Sequence, residues 1–357
     1  MHLTHSVDKN NFTLMLKGNH QFFSTEYNAS SLDDCVELDY PFKSSEDDAA
    51  ANIDILCSCN GLILCKKKNR SEYESISLGV LCLWNPCTTE YKIIPSAPVE
   101  SLGYSSLGIE TTCGICYDGS IDDYKVVRIV GFRIGGNVCE VKVYTLGTSS
   151  WRTLEPAPYQ LNHKQKPGVL VNEKLHWIVC TLAGFVKSEF IVSFDISSEK
   201  FTEMLELGHF GDNYFEKKLA VLGENLCFIG DTHRTWDLWE MKDYGVKESW
   251  TKLYCIGNQK EFQFLRPIHT LRSSEVLLEV RFLKKDGHGL VLFKPKLGRA
   301  NVLKMHVKWD VVQTYVGSLV SLESGTYAWI DRIDEAASER KLKKRKQEFL
   351  CKCNKQK

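Results

Sequence analysis

No stretch of this chain reaches the roughly eighteen consecutive apolar residues that a membrane-spanning helix needs, and mean hydropathy is −0.24. The opening Met1-His2-Leu3-Thr4-His5 lacks the basic-then-apolar layout of a secretory leader. No membrane partner is therefore expected, and cytosol or nucleus is the expected compartment. Helical periodicity is nearly absent before the C-terminus. So are the fingerprints of common chemistries: no Gly-x-Ser-x-Gly elbow, phosphate-binding loop or dinucleotide motif occurs. A second Cys-x-x-Cys to accompany Cys113-Gly114-Ile115-Cys116 is also missing, although structural zinc usually takes four ligands in two such pairs. An enzyme is not expected, nor a cofactor or metal.

What the 357 residues do contain is a recurring phrase. An apolar strand ends in an aromatic, six turn-forming residues follow, and a second aromatic opens the next strand. It occurs as Trp84-Asn85-Pro86 to Tyr91, as Tyr144 to Trp151, and as Phe194 to Phe201. A longer version runs from Trp239 to Trp250, and a weaker one starts at Phe293. Between the phrases lie short Val/Ile/Leu/aromatic/Cys runs punctuated by Gly, Asn, Asp, Ser and Pro, an all-β pattern.

The strands fall into units of about fifty residues, the period of a four-stranded propeller blade such as a kelch repeat. Five units are expected, at roughly 52–96, 112–158, 167–208, 217–258 and 263–308. A sheet with two apolar faces needs a neighbour on each side, so the array should close. An N-terminal hairpin, Phe12–Leu16 with Gln21–Ser24, and a C-terminal strand at Tyr315–Leu322 would form a composite sixth blade and cover both open edges. The fold class is therefore a six-bladed, kelch-like β-propeller over residues 1–333, followed by a basic tail at 334–357. Residues 26–51, with eight acids, read as a solvated linker.

Net charge is zero, but residues 340–357 hold nine Lys or Arg against Glu348 alone. That leaves 36 basic and 44 acidic residues elsewhere, a body near −8 that does not suit nucleic acid. The tail reads as a solvated end, with a nuclear-localisation signal as its functional alternative. The fourteen cysteines, without a leader, read as reduced thiols, many packing as small hydrophobes. Cys57-Ser58-Cys59, the Cys113/Cys116 pair and Cys351-Lys352-Cys353 are treated the same way. Sequons at Asn11, Asn28 and Asn69 are chance on this reading. His176, beside Trp177 in an apolar strand, is a core residue; His288 is a turn residue; the adjacent acids Asp122 and Asp123 are solvated. The aromatics Trp84, Tyr144, Trp151, Phe194, Phe201, Trp239 and Trp250 are expected to pack between blades; Tyr91 and Trp177 belong with them to the structural repeat signature.

Asn60-Gly61-Leu62-Ile63, then Leu83-Trp84-Asn85-Pro86 with Thr88, Glu90 and Tyr91, resembles the F-box-associated domain of plant F-box proteins. So do Tyr117-Asp118 with Asp123–Arg128, Val143-Tyr144 with Ser150-Trp151-Arg152, Leu175-His176-Trp177, Ile191–Asp195 with Glu199-Lys200-Phe201, and Trp239–Met241 with Ser249-Trp250. The matches keep the family's order over about residues 52–255. The resemblance implies a kelch-like propeller that selects a substrate protein for ubiquitination, with inter-strand loops as the gripping surface. In that family an F-box docks on the Skp adaptor of a cullin ligase. The first residues here resemble the segment that follows an F-box, so a Skp-type adaptor is an expected partner only if an F-box lies upstream. A stand-alone interaction protein or competitor of full-length relatives is the alternative. A propeller hydrolase is a remote third, requiring acids or a nucleophile converging on the central channel.

Overall fold

The computed structural model describes residues 13–322, apart from 19, 28–34, 44–51, 69–78, 100–108, 133–137, 162–166, 184–185, 212–213, 258–261, 272, 284–286 and 306. The three sequons, the opening pentapeptide, Cys351, Cys353 and the basic tail lie outside the described residues.

Three strands come first: β1 (Thr13–Lys17), β2 (Phe22–Glu26) and β3 (Val36–Leu38). Blade 2 holds β4 (Ile53–Cys59), β5 (Leu62–Lys67), β6 (Val80–Trp84) and β7 (Tyr91–Ile93). Blade 3 holds β8 (Ile109–Asp118), β9 (Asp123–Phe132), β10 (Glu140–Thr145) and β11 (Ser150–Thr153). Blade 4 has an inner edge in two pieces, β12 (Gln160–Leu161) and β13 (Val169–Val171), then β14 (Lys174–Ala183), β15 (Val186–Asp195) and β16 (Lys200–Glu206). Blade 5 is β17 (Glu216–Leu222), β18 (Asn225–Asp231), β19 (Thr235–Met241) and β20 (Trp250–Gly257). Blade 6 is β21 (Phe262–Thr270), β22 (Val276–Phe282), β23 (His288–Lys294) and β24 (Arg299–Leu303). Finally β25 (Val311–Tyr315) pairs antiparallel with β1, so blade 1 runs β25-β1-β2-β3 and joins the two ends of the chain.

Six antiparallel sheets in a ring make a six-bladed β-propeller, the architecture the sequence period predicts. The first strand of each blade is innermost: β4 meets β8, β8 meets β13, β13 meets β17 and β17 meets β21. The core lies between blades. Trp177, Phe194 and Leu175 of blade 4 pack with Val127, Val141 and Val143 of blade 3. Leu278, Val280 and Val291 of blade 6 pack with Ile229, Trp236 and Leu238 of blade 5. Each fully buried Leu, Ile or Phe contributes about 1.5–3 kcal/mol. Gly168 lies against Trp177, where a β-carbon would come 2.5 Å from Cζ2 of the indole.

Three expectations need correction, two of them in the closing blade. The C-terminal strand is Val311–Tyr315, four residues earlier than expected, because β-branched Val311, Val312 and Thr314 take the ladder with β1. Val312 is fully buried there. Residues 316–320, which include Gly317 and Ser318, leave the sheet. Residues 26–51 are more than a linker: β3 forms the outer edge of blade 1, with Glu37 turned to solvent, as charge on an edge strand discourages further pairing. Beyond it Tyr40 packs on Phe22 at 4.9 Å between ring centroids, and Phe42 on Tyr91 at 5.7 Å. His288 is also not a turn residue. It opens β23 opposite Arg281, with its ring 6.0 Å from that of Trp309.

Candidate functional site

Strand alternation sends the connections of a four-stranded blade to opposite faces. First-to-second and third-to-fourth turns emerge on one face; second-to-third loops and blade-to-blade connections emerge on the other.

The first face is made of the repeated phrase. In blade 2 the phrase's two aromatics sit directly opposite each other, Trp84 against Tyr91. Tyr144 against Trp151 and Phe194 against Phe201 repeat this, and Ala300 replaces the second ring opposite Phe293. The sixth residue of each phrase has positive φ: Thr89 63°, Ser149 50°, Glu199 55° and Gly298 58°. That left-handed residue lets the short turn return the chain in register. Blade 5 differs from expectation. Trp250 lies opposite Met241, while Trp239 is opposite Lys252 beyond a bulge. The turn there is longer and contains a short 3₁₀ segment, Lys247–Ser249, so the spacing of tryptophans misplaces the repeat by two residues.

Polar latches join neighbouring blades on this face. Between blades 3 and 4, Lys125 Nζ lies 2.7 Å from Asp118 and 2.9 Å from Glu199, all three nearly buried. Asp118 also accepts from Ser120 and Ser197, and Arg152 closes on Glu199. Burial opposes the charge on Asp118, but these donors win and hold its carboxyl down at about 2. Asp122 and Asp123 part company: Asp122 meets Tyr117, whereas Asp123 is buried and accepts from the Gly147 and Tyr124 N–H groups. Between blades 4 and 5, His176 is fully buried, its Nδ1 3.0 Å from Val169 O and its Nε2 2.8 Å from the Tyr244 hydroxyl. Burial pushes its pKa down to about 4. It is therefore neutral, donating from Nδ1 and accepting from Tyr244, a core residue as the sequence reading holds.

Asn85 carries the latch between blades 1 and 2. Its Nδ2 donates to Ser318 O at 3.1 Å and Val320 O at 2.7 Å, while its Oδ1 accepts from Cys87 N–H at 3.0 Å. Leu322 N–H donates to Glu90 at 2.8 Å. Residues 316–322 thus run across the turns of blade 2 as a strap. Gly61, at φ 83°, leaves room for Ser318, whose side chain a β-carbon there would strike. Pro86 lies in the turn that Asn85 opens.

The aromatic residues divide by depth. Trp84, Tyr144, Trp177 and Phe194 are fully buried, and Trp250 nearly so. Phe201 packs on Phe194 at 4.8 Å, and Trp239 lies 5.2 Å from Phe210. Tyr91 is 47% exposed on the outermost strand of blade 2, where its ring meets Phe42. Trp151 is half-buried and lines a cleft instead. Cys57 and Cys59 on β4 face Cys113 and Cys116 on neighbouring β8. Burial pushes Cys57 and Cys59 up to about 12, Cys113 to about 11, and Cys116 higher still. Such thiols are inert packing groups at neutral pH. Among the described residues no group of three or more His, Cys, Asp or Glu could hold a metal ion.

The second face carries the longest connections, beside short ones at 184–185, 232–234 and 258–261. The others include 68–79 in blade 2, 94–108 between blades 2 and 3, 154–159 between blades 3 and 4, and 207–215 between blades 4 and 5. Phe215 is 63% exposed there and stacks on His233 at 3.5 Å; Leu283 is 61% exposed. Exposed apolar residues such as Ile121 and Leu297 occur on the turn face too, so apolarity does not separate the faces; only the longest connections do. One cleft of about 340 Å³ opens here between blades 2 and 3. Its outer wall is the connection after β7. Trp151 Nε1 donates to Pro95 O at 2.6 Å, Arg128 to Ala97 O at 2.9 Å and Pro98 O at 3.3 Å, and Lys142 to Pro98 O at 2.9 Å. No sequence motif marks this cleft, because its residues come from seven strands and three connections.

The described residues thus form a six-bladed ring with latches and a strap across its turn face and its longest connections on the other. Comparison with known proteins places it more narrowly. The chain belongs to the F-box associated β-propeller domain family, whose profile matches residues 12–322. It is 28% identical over 331 residues to F-box protein CPR1 of Arabidopsis thaliana, covering 86% of this chain and 74% of that protein. To Arabidopsis F-box protein At3g07870 it is 30% identical over 319 residues, covering 78% and 70%. To the F-box/kelch-repeat protein At3g23880 of the same plant it is 30% identical over 224 residues, covering 61% and 57%.

Proposed function

We propose that this ring recognises a substrate protein through its long-connection face, as the selecting half of a Skp–cullin–F-box ubiquitin-ligase receptor in cytosol or nucleus. The observation that carries the reading is the division of labour between faces. The strap and the latches described above lie on the turn face, while the longest connections of blades 2–6, 68–79, 94–108 and 207–215, lie on the other beside short turns. Binding surfaces are characteristically built from loops on a rigid frame. The F-box proteins among its relatives support the ligase context. No covalent step is assigned to this chain; its part is affinity and orientation. A Skp-type adaptor joins only through an F-box.

The test is recovery of partners with the tagged full chain under crosslinking, compared with two double variants. Phe215→Glu with Leu283→Glu should lose the specific partner; Ile121→Glu with Leu297→Glu, on the turn face, should keep it. The opposite pattern overturns the assignment of faces. Overexpression of the chain with an F-box fused ahead of it should shorten the partner's half-life. Unchanged turnover would overturn the ligase context.

A further inference from the structure

The cleft between blades 2 and 3 has a charge pattern that the latches do not require. Arg128 is buried and lies 5.1 Å from the Trp151 ring centroid. Two of its nitrogens donate to the Ala97 and Pro98 carbonyls, which fix the wall without neutralising the cation. Its nearest acid, Glu140, stands 3.7 Å away and is shared at 3.7 Å with Lys142. On the opposite wall Lys66 lies across Gly79, within 2.7 Å of where a β-carbon would be. The one acid lining the cleft, Asp54, lies 2.9 Å from Lys68. Among these side chains four cations face two carboxylates. The remainder of the lining is apolar, with Val80, Leu81, Ile93 and Trp151 as its larger members.

We propose that this cleft binds a short segment of a partner protein presenting an apolar side chain beside an Asp or Glu carboxylate. The apolar group would enter between Ile93, Val80 and Trp151, and the carboxylate would meet the excess positive charge of Lys66 and Arg128. About 340 Å³ is at the small end of ligand sites, which span roughly 300–1,000 Å³. It admits one or two side chains and no folded element. A carboxylate entering an apolar, cation-rich cleft gains more from the charges than it would at an open surface. This inference rests on the protein-binding reading of the same face and narrows it to one place and one chemistry.

The probe is a phage-displayed library of random twelve-residue peptides panned against the full chain. Enriched peptides should carry an aliphatic or aromatic residue within two positions of Asp or Glu. Their affinity should fall at least tenfold on Ile93→Glu and on Lys66→Glu, and less on Lys66→Gln. Both positions are partly exposed, and an unchanged melting temperature will show that the variants fold. No enrichment, enrichment without acidic residues, or undiminished binding by folded variants overturns the proposal. If Phe215→Glu and Leu283→Glu abolish binding while Ile93→Glu and Lys66→Glu do not, the face binds but the cleft is not the site. If neither pair matters, the wider reading falls as well.

Discussion

On the turn face of blades 2–6 no connection is longer than the eight residues 242–249, and most end in a residue of positive φ. On the opposite face of these blades three connections run to nine, twelve and fifteen residues beside others of two to seven, and the described part of the longest is anchored through its backbone carbonyls. The two faces answer to different physics. A two- to six-residue turn must satisfy strand register, so its residue types are dictated position by position. A long connection pays little extra closure entropy per added residue, so its sequence is open to selection by whatever it touches. Stability should therefore concentrate on the turn face and recognition on the other.

The sharpest way to break this contrast is Lys125→Ala. It leaves the buried Asp118 with its serine donors alone and Glu199 with Arg152 alone, and should cost about 3–5 kcal/mol, the usual penalty for removing one partner of a buried ion pair. Urea denaturation of the full chain measures it. Acid should act next, through His176. Its folded pKa, about 4, lies below the ordinary 6.5, so the unfolded chain takes up the proton first. The stability His176 contributes is whole above pH 6.5 and is lost as pH falls towards 4, amounting to about 3 kcal/mol. The His176→Gln variant should flatten the melting profile in that window. Asp118, held at about 2, should lose its contribution only below the ordinary carboxylate range, so the two steps are separable by pH.

Asn85→Ala tests the strap. It removes two donations to Ser318 and Val320 and the acceptor for Cys87 N–H. The loss should be roughly 1–3 kcal/mol, with faster proteolysis after residue 315 as its local signature. The smallest stability effect belongs to the other face. Phe215→Glu with Leu283→Glu should move stability by no more than about 0.5 kcal/mol per site while abolishing partner recovery. A large melting shift there would show that the loops support the ring.

The repeat was legible because it is a physical requirement written several times. An aromatic, a left-handed sixth residue and a facing aromatic recur wherever the turn has one length, and the blade period follows. Where the turn lengthens, at 242–249, tryptophan spacing points to Trp239 although Met241 holds the position. The three-residue β3 was hidden by its acids, which suit an outer edge but resemble a linker. The strap was invisible for another reason: Asn85 and Ser318 lie more than two hundred residues apart, and nothing local in either announces the other. The cleft was least legible. Lys66, Ile93, Arg128 and Trp151 come from four strands of two blades, and only the packing of blade 3 on blade 2 brings them together.

The joining of both chain ends in blade 1 also sets a timetable. β1 waits for β25, whose first residue, Val311, pairs with Lys17. At roughly 5–20 residues per second of synthesis, that edge stays unpaired on the ribosome for on the order of 15–60 s. Throughout that interval a strand carrying Leu14, Met15 and Leu16, all fully buried in the finished ring, is available to chaperones or to another nascent copy. Closure through blade 1 thus leaves this seam open to quality control until β25 has been made.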